Sequence, residues 1–171
     1  MMRSAAAFGL MYILALPAAA ATAPTVDPSD APPAAKQLPA AEPAVLDLFQ
    51  AFGLFGTFAP DCGRPPAPAN PHVSVSQQAG GPVIETHDVG ADYAANHYSV
   101  RAARRLSKDR LEIKVVFVPG TQAEEFQTLE LLVGKGTRRT MFNRVDDGPV
   151  RVRRGVALAN GRKTPLLKKC P

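Results

Sequence analysis

The sequence predicts an all-β domain in which about seven or eight short strands run as an antiparallel meander. The first observation is the alternation of apolar and polar side chains in several separate runs, which is typical of half-buried strands. The second is the regular placement of Gly, Pro, Asp and Asn turns between these runs. The third is that no long helical pattern follows Leu54. Such a meander closes as a small barrel, and a β-sandwich is the alternative.

The first part of the chain, 1–21, has the pattern of a secretory signal peptide. A basic start ending at Arg3 precedes an apolar run from 5 to 16, and small residues provide cleavage sites near Ala20 or Ala21. The apolar run has about 12 residues, fewer than the roughly 20 that a membrane-spanning helix needs. We therefore expect an exported protein, periplasmic or secreted, whose mature chain has no membrane span.

Residues 22–43 form a segment that we expect to be a disordered tether. Pro and Ala make up 11 of the 20 residues from Pro24 to Pro43, and large apolar side chains are few. Such a composition cannot bury a core and favours an extended, semi-rigid chain.

A short helix is predicted after the tether, because Pro43 suits the first helical position and Gly53 a stop signal. Between them, apolar side chains recur with helical spacing at Val45, Leu48, Phe49 and Phe52. A helix of this kind can lie on a membrane or bind a partner, but its polar face has no Lys or Arg, which argues against an anionic membrane. We expect it to plug one end of the core.

The single domain, 44–171, is predicted to contain the strands. Alternating apolar residues identify strands around 73–75, 98–102, 111–117, 129–133 and 150–152. Turn residues separate them at 80–82, 90–92, 108–109, 119–120, 134–136, 146–149 and 160–161. Because sequential strands joined by short turns pair with their neighbours, this order predicts the meander.

The two cysteines, Cys62 and Cys170, both lie in the mature part of the chain. In an oxidising compartment an even pair is most simply a disulfide. It would close a loop of 108 residues, for which chain-entropy arithmetic gives roughly 4.7 kcal/mol. A thiol nucleophile and a metal pair are the alternatives, although neither cysteine has a CxxC or CxH spacing.

Charge is distributed unevenly along the mature chain. Residues 24–133 have 8 Lys or Arg against 13 Asp or Glu, whereas residues 134–171 have 11 against 2. A basic end on an otherwise acidic domain predicts an electrostatic dipole.

A hairpin within this basic end, 138–154, is predicted to turn at Asp146-Asp147-Gly148-Pro149. In the expected register Arg144 faces Arg151 and Phe142 faces Arg153. One face then presents Arg138, Phe142, Arg144, Arg151 and Arg153, while the other offers Met141, Val145, Val150 and Val152 to the core. Opposed like charges cost about 0.2–1 kcal/mol unless something screens them. We therefore consider Arg138, Arg144, Arg151 and Arg153 a candidate anion-binding face; the alternative is a solvated face that maintains solubility.

No catalytic motif is present, and the sequence predicts no cofactor. His87, Asp88, Asp92 and His97 lie close in sequence and could supply metal ligands or an acid–base pair, but their spacing matches no known metal pattern. We expect no metal site. Nucleic acid is not an expected partner, since no aromatic platform accompanies the arginines.

Three stretches of the domain carry a resemblance to a known family. They are Gly56-Thr57-Phe58-Ala59-Pro60-Asp61-Cys62 with the following RPPAPANPHVSV, the stretch RTMFNR around Phe142, and the ending VRVRRGVALANGRKTPLLKKC. Together they resemble a family of uncharacterised exported proteobacterial proteins with a G-T-W/F…D-C start and a K-x-C end. The resemblance covers roughly 54–170. It implies a disulfide between Cys62 and Cys170 and no established activity.

The start of the domain also resembles that of lipocalins, in which a short helix leads into a Gly-x-aromatic sequence on the first strand. Gly56 and Phe58 would take the glycine and tryptophan positions. This resemblance implies a small lipocalin-like barrel with an N-terminal helix.

These observations predict an exported, non-enzymatic binding or accessory protein of the cell envelope. Its partner would be an anionic envelope component that docks on the arginine face, or a small apolar ligand held in the barrel. The alternatives are an inhibitor of an exported hydrolase that inserts the tether or a rim loop, and an enzyme that uses His87 or His97. The sequence carries no signal for an oligomeric state.

Overall fold

The computed structural model describes residues 43–171. The predicted signal peptide, 1–21, and the predicted tether, 22–43, lie outside the described residues except for Pro43. The described part contains one helix followed by ten strands. No helix in residues 43–171 has the length and apolar character that crossing a bilayer requires.

The helix α1, Pro43–Ala51, forms where the apolar spacing predicts it. Val45 and Phe49 are fully buried in the core, and Leu48 and Phe52 pack against it. The helix therefore plugs the core, as its one-sided apolar face predicts.

The C-terminus of α1 is a Schellman motif. The Gly53 N–H donates to the Gln50 carbonyl, and the Leu54 N–H donates to the Phe49 carbonyl, both at 2.9 Å. Gly53 has a φ of +63°, a left-handed conformation that glycine adopts without steric cost. The predicted stop signal is confirmed.

The strands follow one another along the chain. Their bounds are β1 (Gly56–Ala59), β2 (His72–Gln77), β3 (Val83–Asp88), β4 (Asn96–Arg105), β5 (Arg110–Phe117), β6 (Glu125–Gly134), β7 (Thr137–Val145), β8 (Val150–Arg153), β9 (Val156–Ala157) and β10 (Leu167–Lys169).

Eight of these strands, β1 to β7 and β10, form a closed antiparallel barrel. Each of β1 to β7 pairs with its neighbour in sequence. Strand β10 closes the barrel, because it pairs with β1 on one side and with the start of β7 on the other. The predicted barrel is confirmed and the sandwich alternative is wrong. Strands β8 and β9 continue from the second half of β7 as a hairpin extension.

The core fills the barrel with alternate side chains from successive strands. Its strand residues include Val73, Val75, Val83, Val100, Leu111, Ile113, Val115, Leu129, Leu131 and Val133. Strand β3 lacks this apolar alternation, since Glu85 and His87 take the inward positions after Val83. That is why the alternation pattern does not identify β3.

A disulfide joins Cys62 to Cys170, with Cα atoms 5.5 Å apart. It connects the segment after β1 to the residue after β10, so it fastens the seam at which the barrel closes. The predicted disulfide is confirmed. Neither cysteine is free to act as a nucleophile or a metal ligand.

The predicted register of the 138–154 hairpin is partly wrong. The turn at 146–149 forms, but Arg144 pairs with Val150 rather than with Arg151, and Asn143 pairs with Val152. Arg151 is an extra residue on β8, a β-bulge that removes the unfavourable arginine pair.

A second bulge on β7 changes which side chains point inward. Leu131 pairs with Thr140 and Glu130 with Phe142, which leaves Met141 as the extra residue. Because a one-residue insertion reverses the alternation, Arg138 points inward before the bulge and Arg144 outward after it. The prediction that Arg138 and Arg144 share one face, with Met141 in the core, is therefore wrong.

The two ends of the barrel differ. At one end α1 covers the interior: the Arg105 guanidinium lies 4.6 Å from the Phe52 ring centroid, and Lys169 Nζ donates to the Gly53 carbonyl at 3.2 Å. No helix of the described residues covers the opposite end, where β3 finishes and β4 begins. The candidate site lies at this open end.

Candidate functional site

A cavity of about 230 Å³ lies inside the open end of the barrel. One part of its wall is apolar and consists of Pro71, Val73, Leu129, Val152, Pro165 and Leu167. The other part is polar or amphipathic and consists of His87, Tyr98, Arg138, Thr140, Asn143 and Thr164. A concave site with apolar walls and a few converging polar groups is typical of small-molecule binding.

A buried ion pair between Glu85 and Arg138 forms the polar floor of this region. Arg138 Nη1 donates to Glu85 Oε1 at 2.8 Å, and Nη2 donates to Oε2 at 3.0 Å. The two side chains are only 2% and 3% exposed. Glu85 and Arg138 are 53 positions apart in sequence, and their side chains meet across the lumen of the barrel.

The charge state of Glu85 follows from its surroundings. Burial opposes ionisation, but the charge of Arg138 and hydrogen bonds from His87 and Arg138 outweigh it and lower the pKa of Glu85 from 4.5 to about 2. Glu85 is therefore an anion at neutral pH, and the pair is ionic.

An aromatic row continues from the ion pair toward the open end. His87 Nε2 lies 3.3 Å from Glu85 Oε2. The His87 ring packs against Tyr98 with centroids 4.6 Å apart, and Tyr98 packs against Phe117 with centroids 5.0 Å apart. These contacts orient His87 and Tyr98 along one side of the cavity.

Tyr98 remains a neutral phenol well above neutral pH. Burial and the nearby negative charge of Glu85 raise the pKa of Tyr98 to about 12, although Arg151 opposes the rise. The cavity therefore offers a phenolic O–H, which both donates and accepts hydrogen bonds.

A chain of polar side chains runs along the opposite wall. Asn143 Nδ2 donates to Gln127 Oε1 at 2.9 Å, and Gln127 Nε2 donates to Glu125 Oε1. Arg151 binds both oxygens of Glu125, at 2.7 and 2.8 Å. Asn143 Oδ1 is buried and has no hydrogen-bond partner among residues 43–171, although buried polar atoms are ordinarily paired.

Two cations approach the ring of Phe58, the residue at the predicted lipocalin-like tryptophan position. The guanidinium carbon of Arg138 lies 5.7 Å from the ring centroid, and Lys169 Nζ lies 6.0 Å from it. Arg138 thus connects the ion pair at the centre of the lumen to the first strand.

The four arginines of the predicted anion-binding face do not form one surface. Arg138 is buried with Glu85, and Arg151 is paired with Glu125. Arg144 and Arg153 are exposed and have no carboxylate within 4.0 Å in the described part of the chain. Only these two retain the exposed, unpaired character that the prediction required.

His87 and His97 are not brought together. His87 points into the lumen toward Glu85, whereas His97 is exposed and contacts Thr86 Oγ1 at 3.1 Å on the outer face. Asp88 accepts a hydrogen bond from the Gly90 N–H and so stabilises a turn. Within residues 43–171 no group of three His, Cys, Asp or Glu side chains is placed to hold a metal ion.

Sequence reasoning missed Glu85, Tyr98 and Asn143 as members of a site. One feature of the sequence could have identified Glu85. It lies two residues after the core residue Val83, so a strand there places a charged side chain on the inward face. Arg138 is also a charged residue at an inward position. The alternation pattern does not show this, because the extra residue Met141 gives Arg138 the same apparent parity as the outward residues that follow the bulge.

The comparisons with known protein families, curated proteins and solved structures found no match to this chain. The resemblances to exported proteobacterial proteins and to lipocalins therefore stay predictions.

Proposed function

We propose that this chain is an exported binding protein that holds one small, partly apolar molecule in the cavity at the open end of its barrel. The observation that carries the proposal is the mixed wall of that cavity, apolar along Leu129 and Val152 and polar along His87 and Tyr98. Protein interiors pack to high density. An unfilled space of this size is therefore not expected in a region that serves only the stability of the fold.

The volume indicates how large a group the cavity accepts. An apolar cavity of about 150 Å³ accepts benzene, so a cavity of about 230 Å³ fits a somewhat larger molecule, such as a bicyclic ring. The polar wall makes a purely apolar ligand less suitable than one with a hydrogen-bonding group, which would face His87 and Tyr98 while the rings contact Leu129 and Val152.

Binding is proposed in preference to catalysis because of the state of Glu85. Both of its oxygens are held by Arg138, and a pKa of about 2 leaves it a poor proton acceptor near neutral pH. Glu85 and Arg138 instead supply a fixed, nearly neutral floor. The disulfide supports export, since such bonds persist in oxidising compartments.

The proposal is tested by titrating the protein with indole. The chain has no Trp, so the fluorescence of indole can be followed directly. We expect saturable binding of one indole per chain. Thr140→Phe should weaken it at least about tenfold, because the new ring would occupy the cavity.

Thr86→Phe is the matched control. Thr86 lies between the inward residues Glu85 and His87 and faces outward, so the same substitution there leaves the cavity unchanged. Absence of saturable indole binding to the wild type, or equal binding by Thr140→Phe, would contradict the proposal.

A further inference from the structure

A second concave surface lies on the outside of the barrel and is separate from the cavity. This groove of about 320 Å³ is lined by Arg110, Glu130, Met141, Phe142, Arg153 and Arg154. We call it the basic groove. It lies where the bulge of β7 meets the turn between β8 and β9.

The floor of the basic groove is apolar. Met141 and Phe142 are half-buried on the outer side of β7. Gly155 lies against Met141 so closely that a Cβ there would approach Met141 Sδ to 3.2 Å. A thioether and an aromatic ring beneath a tight turn form a small apolar depression that accepts one side chain.

The cations at its rim are not neutralised equally. Arg110 Nη1 lies 3.6 Å from Glu130 Oε2, so the Glu130 carboxylate partly neutralises the charge of Arg110. Arg153 and Arg154 are exposed and have no carboxylate within 4.0 Å among residues 43–171. Adjacent unpaired guanidinium groups repel each other and attract carboxylates, with which arginine forms two parallel hydrogen bonds.

Arg154 occupies a backbone position that disfavours it. Arg153 pairs with Val156, and the two residues between them, Arg154 and Gly155, have φ values of +52° and +72°. A two-residue turn with both φ values positive favours Asn, Asp or Gly at its first position. Strained positions of this kind cluster at functional sites, so the arginine indicates a use for its charge.

We propose that the basic groove docks a short acidic peptide segment of a partner protein. One apolar side chain of that segment would lie on Met141 and Phe142, and flanking carboxylates would pair with Arg153 and Arg154. The proposal goes beyond ligand binding in the cavity and does not depend on it.

An extended polyanion or an anionic membrane fits this surface less well. In the cross-strand row that includes Phe142, the neighbouring positions are Glu130 on β6 and Glu112 on β5. Arg104 and Arg110 pair with these acids, so the row is mixed in charge. A broad anionic surface would meet both carboxylates, whereas a short segment needs to contact only the Arg153 and Arg154 side.

The test uses the full mature chain and an acetylated pentapeptide with a central phenylalanine flanked by glutamates. We expect saturable binding that shifts the resonances of Met141 and Phe142 in nuclear magnetic resonance spectra. Replacing the phenylalanine with alanine, or the glutamates with glutamines, should weaken binding. The variant Arg153→Glu/Arg154→Glu should bind at least about tenfold more weakly.

Two further variants separate recognition from general effects. Arg64→Glu/Lys114→Glu makes the same change in net charge with residues that do not line the groove, and should retain binding. Arg154→Asn should raise the unfolding temperature and weaken peptide binding, since asparagine suits the turn but lacks the charge. Unchanged binding by Arg154→Asn would overturn the proposal. So would tighter retention on phosphatidylglycerol vesicles than on the peptide, which would indicate a membrane instead.

Discussion

At the α1 end of the barrel the interior is apolar and covered by the helix, whereas at the open end it is polar and contains a cavity. Val45 and Phe49 of α1 are fully buried there, as are Leu54 and Leu111. At the other end the inward positions carry Glu85, His87, Tyr98, Arg138, Thr140 and Asn143.

This difference indicates that apolar packing at the α1 end supplies most of the stability, whereas the proposed binding depends on the open end of the same lumen. Apolar burial at the α1 end lowers the free energy of the folded state without any specific chemistry. The open end instead contains a buried ion pair and an unpaired amide oxygen, features that cost stability compared with apolar packing. Proteins depart from consistent core design mainly at functional sites.

The largest effect is expected from removing one partner of the ion pair. Arg138→Met leaves the Glu85 carboxylate buried without its cation and should lower the free energy of unfolding by about 3–5 kcal/mol. The double variant Glu85→Leu/Arg138→Met should recover most of this loss, yet bind indole more weakly. Denaturant unfolding measures the stability of each variant, and indole titration measures its affinity. Full binding by the double variant would show that the ion pair does not contribute to binding.

A loss of about 2–5 kcal/mol is expected from Leu54→Ala at the α1 end, because Leu54 is fully buried and its truncation leaves a void. Indole affinity should be unchanged when measured well below the unfolding transition. A parallel fall in affinity would show that the two ends are not separable.

The ion pair should also make stability sensitive to acid. Because the pKa of Glu85 is about 2 in the folded protein and near 4.5 without its partners, its contribution is complete above pH 4.5 and is lost as the pH falls toward 2. We expect a loss of roughly 2–3 kcal/mol over this range. Glu85→Leu/Arg138→Met should show a flatter profile, and identical profiles would assign the acid sensitivity to other carboxylates.

The smallest effect is expected at Tyr98. Its phenol should ionise only near pH 12. The contribution of the neutral phenol to the free energy of unfolding is therefore present below pH 10 and disappears as the pH rises through 12. An ultraviolet titration of the folded protein should show a late phenolate step that Tyr98→Phe removes. Absence of the late phenolate step in the wild-type protein would mean that the open end is more hydrated than the structure indicates.

Much of the fold could be predicted because the strands are amphipathic. The alternation at 111–117 and 129–133, the turn at 146–149 and the helix before Gly53 each have a local cause, namely the period of the side chains or the chemistry of a turn. The disulfide could be predicted from the even cysteine count together with the predicted export of the chain.

The site could not be predicted in the same way because it depends on closure and on bulges. Glu85 and Arg138 meet only when β10 closes the barrel, and no local pattern specifies that meeting. The bulges at Met141 and Arg151 each insert one residue, and this reverses the alternation used to divide inward from outward arginines. The anion-binding face therefore lost Arg138, which points into the lumen. It also lost Arg151, which is exposed but paired with Glu125. Arg154 is identified only by its backbone conformation.

The proposed binding at the open end is tested most directly by a crystal structure of the protein soaked with a brominated indole. We predict anomalous density for bromine inside the open end, in contact with Leu129 or Val152 and with the ring nitrogen directed toward His87 or Tyr98. Bromine found only on the outer surface, or a lumen filled by side chains with no space near Thr140, would contradict the account.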